Sequence, residues 1–391
     1  MPRFGITSFC GETSRLVVLG VVGVSLLLGV SCSHEMYSAD PTPTDAAIEK
    51  GIGGDANLEL SIQDGQATDG PLDQGSTDST CHTTATNLSW SVDETIDPTA
   101  SMNILAIAGR SSADMYMAGD EGHVFRNATG HWTHSTPIVA STVRSLWVGP
   151  GMVFAAGGDE DTVGKGGVAH FDGHVWTPVS KRPGKPTENL RIMYDIWGIS
   201  DDDVYAVGKT DFLHFDGEAW KSLELPPGSA GDMHAVWGDS SVLYVAAGTD
   251  IWAYRPGMGK FDSSPMTKDK SDVITDIWGI STTQVFAVAG SESGSENTVL
   301  HSDGVSWTGD GKPAGNVSLR TIRGVSSTDI YAVGDSSTVV HYDGFGWTVV
   351  EKKDLPTVEN LPLRGLWIDP QGPGVYTAGR SQSVWVLNRC P

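Results

Sequence analysis

With 391 residues, a formal charge of −23 and an isoelectric point near 4.6, the chain presents an acidic surface that repels phosphate backbones. No Lys/Arg cluster offsets that charge, which excludes nucleic acid as an expected partner and an anionic lipid surface held by charge alone. Charged residues are only 19% while Gly reaches 48 and Trp 13, a mixture suited to a turn-rich β fold rather than a helical one.

The amino terminus carries Arg3 and Arg15 ahead of "LVVLGVVGVSLLLGVS" (16–31), an apolar run without charge. It is shorter than the roughly 20 residues of a spanning helix and suits the core of a secretory signal. Small residues lead into Cys32 in "LLLGVSC", a junction that resembles bacterial lipoprotein signals. Val30, Ser31 and Cys32 fit that pattern, whereas Gly29 stands where the family usually has Leu. The resemblance implies that residues 1–31 are removed, that Cys32 is lipidated, and that the protein is exported and membrane-anchored, with the outer membrane as the expected address.

Residues 32–85 read as a disordered acidic linker. Their central stretch, "PTPTDAAIEKGIGGDANLELSIQDGQATDGPLDQGSTDST", has no aromatic residue and one lysine, Lys50. It lacks the apolar surface needed to offset the entropy of ordering. The Asp-Gly pairs at 64–65 and 69–70 fit no twelve-residue calcium loop with a closing Glu.

From there the chain repeats itself. "DMYMAG" (114–119) recurs as "MVFAAG" (152–157), "DVYAVG" (203–208), "LYVAAG" (243–248), "VFAVAG" (285–290), "DIYAVG" (329–334) and "GVYTAG" (374–379). Each is preceded by an apolar run with a tryptophan-type position, occupied by Ala108, Trp147, Trp197, Trp237, Trp278, Arg323 and Trp367. Closing aromatics at Trp90, Trp132, Trp176, Trp220, Phe261, Trp307 and Trp347 are 40 to 46 residues apart. Four short strands with their turns use that much chain, which is the period of a propeller blade. The β-branched and aromatic runs suit strands buried on both faces between neighbouring blades. The Asp-Gly pair in "HYDGFGW" (341–347) predicts a two-residue hairpin turn with Tyr342 opposite Phe345 and Val340 opposite Trp347.

The expected architecture is therefore all-β, a seven-bladed β-propeller of four-stranded antiparallel blades over residues 86–391. The last unit stops at its third strand, "SVWVLNRC" (383–390), and a spare strand, "NLSWSV" (87–92), precedes the first. Pairing the two would close the ring and remove its open edges. Cys81 and Cys390 flank that closure and are expected to form a disulfide in an exported protein. A bridge across so long a loop is worth about 5 kcal/mol on the chain-entropy model.

No nucleophile elbow, H-E-x-x-H, Walker loop or C-x-x-C pair occurs. His170, His214, His301 and His341 precede the blade turns at one repeated position on the third strand, too far apart to share a metal, so they are read as blade-structural. The "SDG-x-x-W" turns resemble the Asp-box of sialidases, itself a structural motif, with spacing one residue shorter. Candidate binding residues lie on the innermost strands, where blades converge. Three residues before each tryptophan-type position stand Leu105, Arg144, Tyr194, His234, Thr275, Arg320 and Arg364, followed in two units by Asp195 and Asp276. Arg144, Tyr194, Asp195, His234, Asp276, Arg320 and Arg364 are the expected lining of one channel mouth, with the arginines offering anion contacts.

The units "DIWGISDDDVYAVG" and "GVSSTDIYAVGDSSTVVHYDGFGW" are similar to the tandem repeats of exported β-propeller lipoproteins abundant in myxobacteria and related bacteria. The resemblance covers roughly residues 86–390, and the fourth unit departs most, with "YRPGMGKF" in place of the turn. It implies fold and address and supplies no activity. The function expected is a non-enzymatic, lipid-anchored binding or scaffold protein of the cell envelope, monomeric, without cofactor or metal, recognising an envelope protein or polysaccharide. Long insertions such as "GGDEDTVGKGG" (157–167) and "SKRPGKPTEN" (180–189) favour recognition by loops on a rigid scaffold. The competing reading is a carbohydrate-active or carbohydrate-binding propeller, for which Asp195 and Asp276 are the candidate carboxylates.

Overall fold

A computed structural model describes residues 85–89 and 102–388, apart from 136–141, 161–164, 229–231, 264–265, 267–272, 291–297, 312, 352–359 and 380–382. The signal segment, Cys32, the linker, Cys81 and Cys390 lie outside the described residues, and with them the expected lipidation and disulfide. Among the described residues there is no α-helix, and no helix is long and apolar enough to cross a membrane.

After β1 (Ala85–Ser89) come six contiguous four-stranded antiparallel blades. The first is β2 (Ile104–Ser111), β3 (Asp114–Gly119), β4 (Val124–Ala128) and β5 (His131–Ser135). The second is β6 (Val143–Val148), β7 (Val153–Gly157), β8 (Gly167–Phe171) and β9 (Trp176–Val179), followed by a small hairpin, β10 (Lys181–Arg182) and β11 (Lys185–Asn189). The third holds β12 (Met193–Ser200), β13 (Asp203–Gly208), β14 (Phe212–Phe215) and β15 (Trp220–Ser222). In the fourth are β16 (Met233–Gly238), β17 (Leu243–Ala247), β18 (Asp250–Arg255) and β19 (Lys260–Phe261). The fifth has β20 (Ile274–Ser281), β21 (Gln284–Ala289), β22 (Thr298–Ser302) and β23 (Trp307–Gly309). The sixth is β24 (Leu319–Ser326), β25 (Asp329–Gly334), β26 (Thr338–Tyr342) and β27 (Trp347–Val349).

One further four-stranded sheet is composite. β28 (Leu363–Ile368), β29 (Gly374–Gly379) and β30 (Ser383–Asn388) are joined by β1 in the order β1-β30-β29-β28, with Ala85 opposite Leu387 and Ser89 opposite Ser383. The first strands touch in the order β2, β6, β12, β16, β20, β24, β28, and β28 also touches β2. The molecule is a β-propeller, with its core between blades.

Two aromatic seams join the blades. On the inner seam, Trp147, Trp237 and Trp278 each lie over the glycine that follows the equivalent position one blade on, Gly198, Gly279 and Gly324. A Cβ at Gly198 would sit 2.6 Å from the Trp147 indole, and one at Gly279 would sit 2.7 Å from that of Trp237, so only glycine admits this approach. Trp197 completes the pattern differently, donating its indole N–H to the Gly238 carbonyl at 2.9 Å. The outer seam runs the other way. Trp220 packs on Phe154, Phe261 on Phe212, Trp307 on Tyr244 and Trp347 on Phe286, each reaching the preceding blade with ring centroids 5.5–6.4 Å apart.

The hairpin register departs from the sequence expectation. Tyr342 pairs with Trp347 and Val340 with Val349, so the turn is a four-residue loop, Asp343–Gly346, with positive φ only at Gly344 (92°). The reason is the aspartate: Asp343 Oδ1 accepts the N–H groups of Phe345 and Gly346 at 2.8 and 3.0 Å, which holds a wider loop than a two-residue turn. Asp172, Asp216 and Asp303 cap their loops the same way. These bonds to the ionised form hold the Asp172, Asp303 and Asp343 carboxyls below the usual carboxylate range.

The repeated histidines pack against the aromatic residue opposite them on the second strand, and His170 also reaches the next blade. His214 stacks on Tyr205 at 4.4 Å and bonds Asp203 at 2.8 Å, and His341 does the same with Tyr331 and Asp329. In the first blade Arg126 takes that place, bonded to Asp114 at 3.1 Å and lying over Tyr116. His170 is wedged between Phe154 and Phe215, and burial pushes it below its ordinary 6.5, the Asp172 charge opposing. A base with a depressed folded pKa binds fewer protons folded than unfolded, so it lowers stability as pH falls below about 6.5. His170→Phe is therefore expected to lose less unfolding free energy than the parent between pH 7.5 and 5.5, read from denaturant midpoints. Equal losses would show that His170 binds protons alike in the folded and unfolded states, so that burial does not lower its pKa.

Candidate functional site: a channel mouth built on bulges

In every first strand the ladder slips by one residue at the same place. The slip lies between Ile104 and Ala106, Val143 and Ser145, Met193 and Asp195, Met233 and Ala235, Ile274 and Asp276, Leu319 and Thr321, and Leu363 and Gly365. The residue skipped each time is Leu105, Arg144, Tyr194, His234, Thr275, Arg320 or Arg364. A bulge releases one residue from the ladder and re-aims its side chain. All seven bulge residues line a single cavity of about 380 Å³. The seven expected candidates, including Asp195 and Asp276, are thus brought together at one mouth.

The mouth has two unlike halves. Arg320 and Arg364 stand on neighbouring strands and share one carboxylate, with Nη2 of Arg320 and Nη1 of Arg364 at 2.8 and 3.0 Å from the two Asp335 oxygens. Beyond Leu105 comes Arg144, whose Nε donates to the Gly158 carbonyl at 3.1 Å. Burial and the charges of Arg320 and Arg144 lower the pKa of Arg364, with Asp335 opposing. On the other half, Tyr194 and His234 pack ring to ring at 4.7 Å. Burial pushes the Tyr194 hydroxyl up to about 12, and the Glu160 and Asp232 charges add to the rise. Thr275 donates within the wall, to the carbonyls of Val288 and Leu319.

Asp195 and Asp276 border the cavity but are buried, and their oxygens are engaged. Asp195 accepts Ser145 Oγ–H at 2.7 Å and the Val236 N–H of the next blade at 2.9 Å. Asp276 accepts its neighbour Ile277 N–H, the Ile322 N–H of the next blade, both at 2.9 Å, and Nη1 of Arg323 at 2.5 Å. Burial pushes the Asp276 carboxyl up to about 6, with Arg323 opposing and Asp195 adding to the rise; burial also raises Asp195. Both are stitches between blades, placed one residue after the bulge where a side chain meets the neighbouring backbone. Neither offers the free, paired carboxylate that glycoside hydrolysis needs.

Sequence reasoning missed three contributors, Glu160, Arg323 and Asp335. Arg323 borders the cavity because it sits where other blades have tryptophan, and a second space of about 300 Å³ between Trp278 and Trp367 opens beside it. Asp335 was signalled by "YAVGD": the equivalent Asp120 in "MAGD" binds Asn103, so this position repeatedly faces the start of the first strand. Among the described residues no group of three or more His, Cys, Asp or Glu is arranged to hold a metal ion.

No protein-family model matches the chain, and no curated protein sequence does. Solved structures share its fold. YCF48 bound to D1 peptide superposes with a TM-score of 0.55 at 13% identity, covering 78% of this chain and 97% of that one. YCF48 from Cyanidioschyzon merolae gives 0.58 at 10%, covering 78% and 99%. The WD40 β-propeller domain of Doa1 gives 0.58 at 11%, covering 79% and 98%. At these identities the likeness shows the fold alone: the chain is a β-propeller.

Proposed function

We propose that this chain is a non-enzymatic, lipid-anchored β-propeller of the bacterial cell envelope that binds a protein partner at the bulge-lined channel mouth. The observation that carries it is the mouth itself. The repeated framework holds one bulge in every first strand, yet the seven side chains there are of five different types, as suits a recognition surface on a common scaffold. The D1 peptide bound in one YCF48 structure supports a polypeptide ligand for a propeller of this shape. In this reading the ring has seven blades, β1 is the latch that completes the last, and a Cys81–Cys390 disulfide secures the latch. Cys32 carries the lipid, and residues 32–85 give the propeller reach from the membrane.

Capture from envelope extracts, with the full mature chain and an Arg144→Ala/Arg320→Ala/Arg364→Ala variant as baits, tests the site. A specific partner held by the first and lost by the second, with unchanged thermal unfolding, is the expected result. The same partner on both baits would move recognition to the loops. Membrane fractionation of Cys32→Ser tests the anchor: the variant is expected in the soluble fraction.

A further inference from the structure

The channel mouth carries a charge imbalance that the fold does not neutralise. Four arginines border it, and only Arg323 has a buried carboxylate of its own, Asp276. Arg320 and Arg364 divide the single carboxylate of Asp335, and the Nε of Arg320 is buried without a hydrogen-bond partner among the described residues. Arg144 is anchored only through Nε on a backbone carbonyl, which leaves its two terminal amino groups without a protein acceptor among those residues. Glu160 borders the same cavity but lies within 4 Å of none of these guanidinium groups. In a chain of net charge −23, keeping three guanidinium groups close enough to lower the pKa of one of them is costly unless something anionic joins them.

We propose that the arc formed by Arg320, Arg364 and Arg144 is a binding site for a compact oxyanion, the carboxylate or phosphate group of a ligand whose remaining body lies towards Tyr194 and His234. This rests on the channel-mouth reading above and names the chemistry that the mouth selects. Guanidinium groups present paired donors that match both oxyanions, and the arc spans four consecutive first strands, β24, β28, β2 and β6, with Leu105 as its one apolar member. The cavity admits a small group and excludes a folded surface, so the anion must project from its carrier. The facing aromatic pair gives that carrier a flat, half-apolar wall.

The test is titration calorimetry of the full mature chain with inorganic phosphate and, separately, with succinate, in chloride buffers of matched ionic strength. Saturable binding of at least one anion is expected, and which one binds identifies phosphate or carboxylate as the preferred group. Arg144→Ala, which removes from the fold one hydrogen bond, to the Gly158 carbonyl, is expected to weaken that binding roughly tenfold, the worth of a charge-assisted contact. Arg364→Lys, which keeps the charge but not the fork, is expected to weaken it as well. No binding of either anion, or binding equal in both variants and parent, overturns the oxyanion site. If neither anion binds yet the triple variant still loses its protein partner, the channel-mouth function stands and only the oxyanion assignment falls.

Discussion

Trp237→Ala is expected to lower the unfolding free energy by about 3–5 kcal/mol, the range for deleting a large buried aromatic. Trp237 is 5% exposed, its ring lies 5.9 Å from that of Trp197, and its far edge rests on the backbone of the next blade at Gly279. Alanine would leave a cavity between two blades whose strands are held by separate ladders and have no simple way to collapse. Gly279→Ala attacks the same contact from the other side, since its Cβ would come within 2.7 Å of the indole and 2.8 Å of the Gln284 carbonyl. Overpacking of that kind costs about 1–3 kcal/mol. Combined, the two changes are expected to cost less than their sum, because the alanine at 237 vacates the space that the alanine at 279 needs. Chemical denaturation of the four proteins, followed by circular dichroism, gives the cycle. Strict additivity would show that the ring of tryptophans is not what joins the blades.

Arg323→Ala is expected to cost about 3 kcal/mol, because it strands the buried Asp276 carboxylate beside Asp195. The pH dependence separates this from simple loss of packing. Asp276 has an ordinary value of 3.8 and a folded value of about 6, so between these the folded state holds the extra proton. Its contribution to stability is therefore greatest below about pH 4, declines as pH rises and is lowest above 6. Removing Arg323, which opposes the rise, steepens and extends that decline. Asp276→Asn is expected to flatten it, by unfolding measured at half-unit steps from pH 4 to 7. A parental curve and an Asp276→Asn curve of the same slope would sink the assignment. The double change Asp276→Ala/Arg323→Trp, which rebuilds the repeated tryptophan and the alanine found at Ala235, is expected to recover most of the loss, since buried ion pairs exchange for apolar packing at little cost.

Most of the blade was legible in the chain because the repeat forces each residue type to answer the same demand several times. The tryptophan series, the glycine after it and the closing aromatics mark two seams, and five, five and seven appearances separate a packing rule from coincidence. The mouth was legible for the opposite reason: Leu105, Tyr194, His234, Thr275 and Arg320 share a repeat position without sharing a chemistry. The turn was misread because Asp-Gly alone does not reveal which N–H groups the aspartate will accept. In Asp343 it accepts two, and the loop widens by two residues.

Periodicity, then, determined by itself that the chain is a propeller and which residues stand at its axis, because strand alternation and blade length are local properties repeated along the sequence. What those residues do at the axis was decided only by the tertiary structure. A bulge in each first strand releases one side chain into the cavity, and in two of them the residue that follows is an aspartate turned onto the neighbouring backbone, so Arg320 and Arg364 face an opening while Asp195 and Asp276 bond the next blade. Adjacent positions in one strand acquire opposite roles through contacts some forty residues away, and no local pattern carries that information.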